Sequence, residues 1–350
     1  MRENCLYWVW LTTLRGLSFV KIQALLDYFK TIENVYNAKE EDYLQVSAIR
    51  KNDISRLLDK NTQKAEQIIK RMEDIGGYIL TIDDEEYPQR LKDLENPPCV
   101  LYVRGKLFDF LQCATIGVVG TRECSDYGAV VTKRMSYELA RGGAVIVSGM
   151  ARGIDTYAAY SALRAGARTV AVLGCGVDVI YPPENVDIMN AIIKNGAVVS
   201  EYPPMSPPLG IHFPQRNRII AGLCDGLLVT EAPYGSGALI TAKCAYDINR
   251  KIYSVPGSVF SKESAGTNAL IKKGAIAATH PNDILSDFPK DILDNEKNNL
   301  NMYFPQRKRD YFCRYFYFEN ILYKILKIAF GLNLTNLYLA LNHEVFYRTL

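Results

Sequence analysis

Only three histidines occur in the 350 residues, His212, His280 and His343, too scattered to suggest a metal set or a catalytic triad. Eight cysteines are present, but no two lie closer than eleven positions, which excludes a CxxC metal knuckle or redox pair. Several sit in apolar runs such as Leu173-Gly174-Cys175-Gly176, where a reduced cysteine behaves as a small hydrophobe. No run of about 18 apolar residues is present, so no membrane span is expected. The opening MRENCLYWVW lacks a basic segment followed by a long apolar one, so no signal peptide is expected and a cytoplasmic protein is. Charge of one sign is also missing. The net charge is +3, and residues 301–350 hold seven Lys/Arg against three Asp/Glu, leaving 34 basic against 35 acidic residues in the first 300. A nucleic-acid partner must therefore be argued from local patches and not from bulk charge.

What is there is ordinary globular material, 48% hydrophobic and 23% charged, enough for two or three domains. Residues 1–77 read as short helices. Phe19–Phe29 carries apolar residues at helical spacing behind Ser18 as its N-cap, and a longer helix over 62–75 stops at Gly76-Gly77. The turn from Leu14 to Ser18 is of the kind found in helix-hairpin-helix modules, and also in any small bundle. After a strand at 78–82, Asp83-Asp84-Glu85-Glu86 reads as a solvated turn, because adjacent acids do not converge on a metal. Asn96-Pro97-Pro98 marks a linker before a strand at 100–103. From there short apolar strands at 115–119, 144–147, Thr169–Leu173, 197–199, Gly226–Val229 and Lys251–Ser254 alternate with amphipathic helices. That grammar predicts an α/β domain over 78–288 with a doubly wound, mostly parallel sheet covered on both faces, which binds ligands at the carboxyl ends of its strands.

Five strand ends carry anion-binding chemistry. Gly120-Thr121-Arg122 offers a sharp turn, a guanidinium fork and a helix starting near Asp126 whose N–H groups face an anion. It is not GxGxxG, and no acidic residue ends the next strand, so a nicotinamide cofactor is not expected. Ser148-Gly149-Met150-Ala151-Arg152-Gly153-Ile154-Asp155 repeats the theme, with Asp155 read as a helix N-cap and, alternatively, as a catalytic carboxylate. Gly174 and Gly176 allow close backbone approach, and Asn185 is expected to cap the following helix. In Phe213-Pro214-Gln215-Arg216-Asn217-Arg218, Pro214 is expected to fix the helix start. Two arginines near a positive helix terminus call for an anion, and the neighbouring Phe213 suits base stacking; the alternative is a solvated face with a core phenylalanine. Gly235-Ser236-Gly237 opens a further helix as a nest of N–H groups.

These strings, with Glu231-Ala232-Pro233-Tyr234, Val255-Pro256-Gly257-Ser258 and Gly266-Thr267-Asn268, resemble the DNA-processing protein A (DprA/Smf) family in order and spacing over about residues 78–285. The resemblance implies a Rossmann-like domain behind a SAM-like helical domain. It further implies a homodimer without known catalytic turnover or cofactor, which binds and protects incoming single-stranded DNA in natural transformation and helps to load RecA recombinase. Carried over by motif, Gly120, Thr121, Arg122, Ser148, Gly149 and Arg152 would line the phosphate edge. Phe213, Arg216, Asn217 and Arg218 would lie beside it, with Ser236, Gly237 and Lys243 continuing the cradle.

The chain departs from the family at its carboxyl end. Many members finish in a winged helix, whereas residues 289–350 read as a polar linker over 291–301 and then an aromatic-rich stretch with one amphipathic helix at 321–330. Thirteen of the 38 Phe, Trp and Tyr residues fall in the last 50 positions. Degenerate winged helix, altered reading-frame product and lineage-specific extension all remain open. The runner-up function is hydrolysis of nucleoside monophosphates, with Asp155 and Glu231 as the only well-placed acids. A nucleotide-sensing module rests on the same cradles.

Overall fold

The computed structural model describes residues 3–14 and 16–303. Arg15, in the expected hairpin turn, and the expected helix at 321–330 lie outside the described residues, as does everything from Phe304 on. Nine strands form a single sheet: β1 (Gly77–Thr81), β2 (Val100–Gly105), β3 (Ala114–Val119), β4 (Ala144–Ser148), β5 (Thr169–Leu173), β6 (Ala197–Ser200), β7 (Gly226–Val229), β8 (Lys251–Ser254) and β9 (Ile276–Ala277). Their order is β1-β2-β6-β5-β4-β3-β7-β8-β9, with β1–β2 and β2–β6 antiparallel and the other pairs parallel. Every residue of β3 through β7 is buried, as continuous apolar strands in a doubly covered sheet require. The Rossmann-like α/β expectation therefore holds.

From β3 the chain winds outward through β4, β5 and β6, then returns to the other side of β3 with β7. That reversal places a switch point between the carboxyl ends of β3 and β7, where open α/β sheets bind ligands. Strand alternation sorts the layers. Ile116 and Val118 of β3 face the helices Asp126–Arg141 and Ile154–Arg164, while Val119 faces His212–Leu223 and Gly237–Asp247. Gly117 shares the latter face, and a Cβ there would meet Leu227, Cys224 and Ile220. The amino-terminal helices share a core with the sheet domain: Trp8, Trp10, Leu25, Tyr43 and Met72 join one cluster with Tyr102, Leu163 and Ile188.

Local expectations were amended by packing. Phe19–Phe29 is helical behind Ser18, but the Ser18 hydroxyl caps nothing. The 62–75 helix runs Gln63–Asp74 and ends at Gly76 with φ 65°. The proposed linker at 291–301 is instead part of a helix, Lys290–Tyr303, because Leu293 is buried against the sheet domain and Glu296 pairs with Arg168. No described helix is long and apolar enough to cross a membrane.

Candidate nucleic-acid interface

All five expected strand ends converge on one cleft of about 680 Å³ over the carboxyl edge. Gly120, Thr121 and Arg122 enter from β3, Ala151 and Asp155 from β4, Tyr181 from β5, Pro208, Gly210, Phe213, Arg216 and Asn217 from β6, and the 233–241 segment from β7. The junction of β3 and β7 is tight. Thr121 N–H donates to the Glu231 carbonyl at 2.8 Å, and a side chain at Gly120 would collide with that carbonyl and with Ile154, so only glycine fits.

The arginines divide by burial. Arg122 is exposed, with its guanidinium 5.0 Å from the centre of the Phe213 ring. Arg216 shares that ring at 5.9 Å but is only 3% exposed. Its Nη1 donates to the carbonyls of Gly149 (2.8 Å) and Val172, while its Nε has no partner. Burial pulls the Arg216 guanidinium below its usual pKa against the opposing charge of Asp155. It forms the floor of the cleft and braces two strand ends. Gly149 is glycine because a Cβ would strike this guanidinium. Asp155 is not an N-cap of its own helix; it is the second residue of Ile154–Arg164, and its carboxylate accepts from the Gly149 and Ala151 N–H groups of the preceding loop. Burial raises its pKa to about 6 even though Arg216, those N–H groups and Arg122 pull the other way.

Phe213 packs against Gly174, where a Cβ would come to 3.0 Å from the ring, and its ring centre lies 5.5 Å from that of Tyr181. Its helix starts at His212, two residues before Pro214. Ser236 caps the Gly237–Asp247 helix through Ala238 N–H, and Asn217 reaches back to the Gly237 carbonyl at 3.3 Å. The amino terminus of that helix thus opens into the cleft beside Phe213 and Arg122.

Other expected residues lie elsewhere. Ser148 is buried, donating to the Val118 carbonyl at 2.7 Å. Arg152 is exposed but paired with Glu184 at 2.5 Å. Arg218 points off the cleft to both carboxylate oxygens of Glu201, at 2.6 and 2.7 Å. Lys243 pairs with Asp247 at 2.8 Å on an outer helix face. Neither Arg152, Arg218 nor Lys243 lines the cleft. Asn185 stands at the N-cap position of the Val186–Asn195 helix, but its side chain makes no cap bond there and instead ties Met150 to Thr156.

The anion expected at the start of Asp126–Arg141 is supplied from within the protein. Glu231 accepts from Ser125 N–H at 2.8 Å and from its hydroxyl at 2.5 Å, which occupies that terminus and turns the carboxylate away from the cleft. Among the described residues no cluster of three or more His, Cys, Asp or Glu is arranged to hold a metal. Two aromatic walls escaped sequence reasoning, Tyr181 and the 74%-exposed Tyr234. Their signal was an aromatic inside a Gly/Pro turn at a strand end, next to backbone donors.

The model of the family "DNA recombination-mediator protein A" matches residues 78–289. Protein Smf of Synechocystis is 38% identical over 284 residues, covering 80% of this chain and 71% of that protein. DNA processing protein DprA of Streptococcus pneumoniae is 42% identical over 208 residues, 59% of this chain and 73% of the relative. The X-ray structure of that pneumococcal protein superposes with a TM-score of 0.72 at 33% identity, covering 83% of this chain and 99% of the other. DNA processing protein A of Helicobacter pylori, whose structure is described as giving insight into a unique single-stranded DNA binding mode, reaches 0.55 at 31% identity over 60% of this chain and 94% of its own. With the matched region taking in all nine strands, save Gly77 at the start of β1, and every loop around the cleft, the chain belongs to the DNA recombination-mediator protein A family, DprA/Smf.

Proposed function

We propose that this protein binds single-stranded DNA in the cleft over the carboxyl edge of its sheet. In this reading it protects incoming DNA during transformation and helps load RecA recombinase, as a cytoplasmic homodimer. One observation carries the DNA reading: exposed Arg122 is held over the Phe213 ring within one cleft that also contains Tyr181, Tyr234 and the start of the Gly237–Asp247 helix. A cation and helix N–H groups suit phosphates, while aromatic faces suit unpaired bases, and a duplex keeps its bases stacked away from such rings. The single-stranded DNA binding described for the Helicobacter pylori relative agrees with this reading.

A mobility-shift assay with single- and double-stranded oligonucleotides of equal length tests it. Retention of the single strand well below the concentration needed for the duplex is expected, and equal or absent retention would count against it. Light scattering at twice the chain mass, and faster RecA filament growth on DNA carrying the protein, are expected for the dimer and loading roles. A monomer, or unchanged growth, would remove each in turn.

A further inference from the structure

We propose that Asp178 is a positioning residue for the cleft, and that Arg71 uses it to tie the helical region to the cleft wall. The wall is the proline-rich segment 203–211, which supplies Pro208 and Gly210 to the cleft and leads into Phe213. It has no regular secondary structure of its own up to His212, so it must be held from outside. Besides its own turn bonds, such as Ser206 N–H to the Pro203 carbonyl, it is anchored by three bonds from the loop that follows β5. Gly176 N–H donates to the Ser206 carbonyl at 3.0 Å, the Asp178 carboxylate accepts from Met205 N–H at 2.7 Å, and His212 Nδ1 lies 3.0 Å from the Gly174 carbonyl.

Asp178 is the charged member of the three, and its side chain is only 6% exposed. One oxygen, Oδ1, holds Met205, a non-glycine residue at φ 64°. The other, Oδ2, takes Nε and Nη2 of Arg71 at 3.0 and 2.9 Å. Arg71 stands on Gln63–Asp74, the last helix of the amino-terminal region. A nearly buried carboxylate needs a counter-charge, and one left bare at the rim would also repel a polyanion. Arg71 therefore neutralises the group that fixes the wall, so a displacement of the helical region is transmitted to the cleft. Close packing leaves little alternative space, since a Cβ on Gly176 would meet Met205 N, Asp178 Oδ1 and the Pro203 carbonyl within 3.0 Å.

The inference rests on the single-stranded DNA reading for its functional readout, and the experiment separates the two. Amide hydrogen exchange of Met205 and Ser206 is measured in the full chain without DNA, alongside oligo-dT affinity and the unfolding midpoint. Asp178→Ala should speed exchange at both amides and weaken oligo-dT roughly 3- to 10-fold, the scale of one ordinary hydrogen bond, without lowering the midpoint appreciably. Asp178→Asn, which keeps an acceptor for Met205, should restore slow exchange there. Arg71→Ala should weaken oligo-dT in wild-type protein but add nothing in the Asp178→Ala background. Unchanged exchange and affinity in Asp178→Ala overturn the proposal, as do fully additive effects of the two substitutions. Wild-type protein that fails to bind oligo-dT, with exchange still altered in Asp178→Ala, would sink the DNA reading and leave the wall-positioning role standing.

Discussion

Arg122 and Arg216 lie against the same phenylalanine, yet their surroundings assign them different work. Arg122 is exposed at the cleft, where the proposed DNA backbone would pass, while Arg216 spends its donors on the Gly149 and Val172 carbonyls beneath the cleft. Arg122→Ala should weaken oligo-dT by about 1–3 kcal/mol with little change in the unfolding midpoint. Arg216→Ala should lower both, because Asp155 loses its buried counter-charge and two carbonyls lose a donor. Binding titrations and calorimetry on the pair distinguish them, and indistinguishable midpoints would contradict the division. Asp155 adds a pH dependence. Its pKa is raised from 3.8 to about 6, so the native state holds this proton more tightly than the unfolded chain does. The group's contribution to stability is then fully present below about pH 4 and is lost as pH rises to about 6. Protonation also leaves Arg216 uncompensated under the cleft, so oligo-dT affinity should rise as pH falls from about 7 to about 5.5. Asp155→Asn should flatten that rise; the same slope in variant and wild type would show that another group is responsible.

At the scale of elements, the clearest case is the start of Asp126–Arg141. A helix terminus after a glycine turn reads from sequence as an anion site, but Glu231 already holds it through both oxygens. Replacing Glu231 by Ala should cost about 1.5–3 kcal/mol of stability, read from denaturant unfolding, while oligo-dT affinity per folded molecule stays close to wild type. A loss of binding with unchanged stability would put Glu231 back among the site residues. The strands and the five loop positions were legible because continuous apolar runs and glycine turns are local signals. Illegible were the facts set by partners far along the chain. Glu231 lies 106 residues from Ser125, and Arg216 meets Val172 from 44 away. Nothing near Arg218 in sequence says that its helix turns it toward Glu201 and away from the Arg216 side. A carboxylate and a helix start are each readable; that they consume one another is not.

For the molecule as a whole, the order of strands decides where function sits. Because β7 returns beside β3, five loops gather over one edge, and an exposed cation, three aromatic side chains and a helix terminus meet there. The helical region shares its core with one face of the sheet, and the Lys290–Tyr303 helix is fastened at Arg168 through Glu296. Cleft, helical region and this last helix thus belong to one packed unit. In the proposed reading Arg122 neutralises a backbone phosphate of a single strand in this cleft. That role is tested most directly by fluorescence anisotropy of labelled oligo-dT over a range of salt concentrations, with wild type and Arg122→Ala side by side. Log affinity should fall linearly with log salt, with a slope shallower in the variant by about 0.7, the contribution of one phosphate on a single strand. Parallel lines for the two proteins would contradict it.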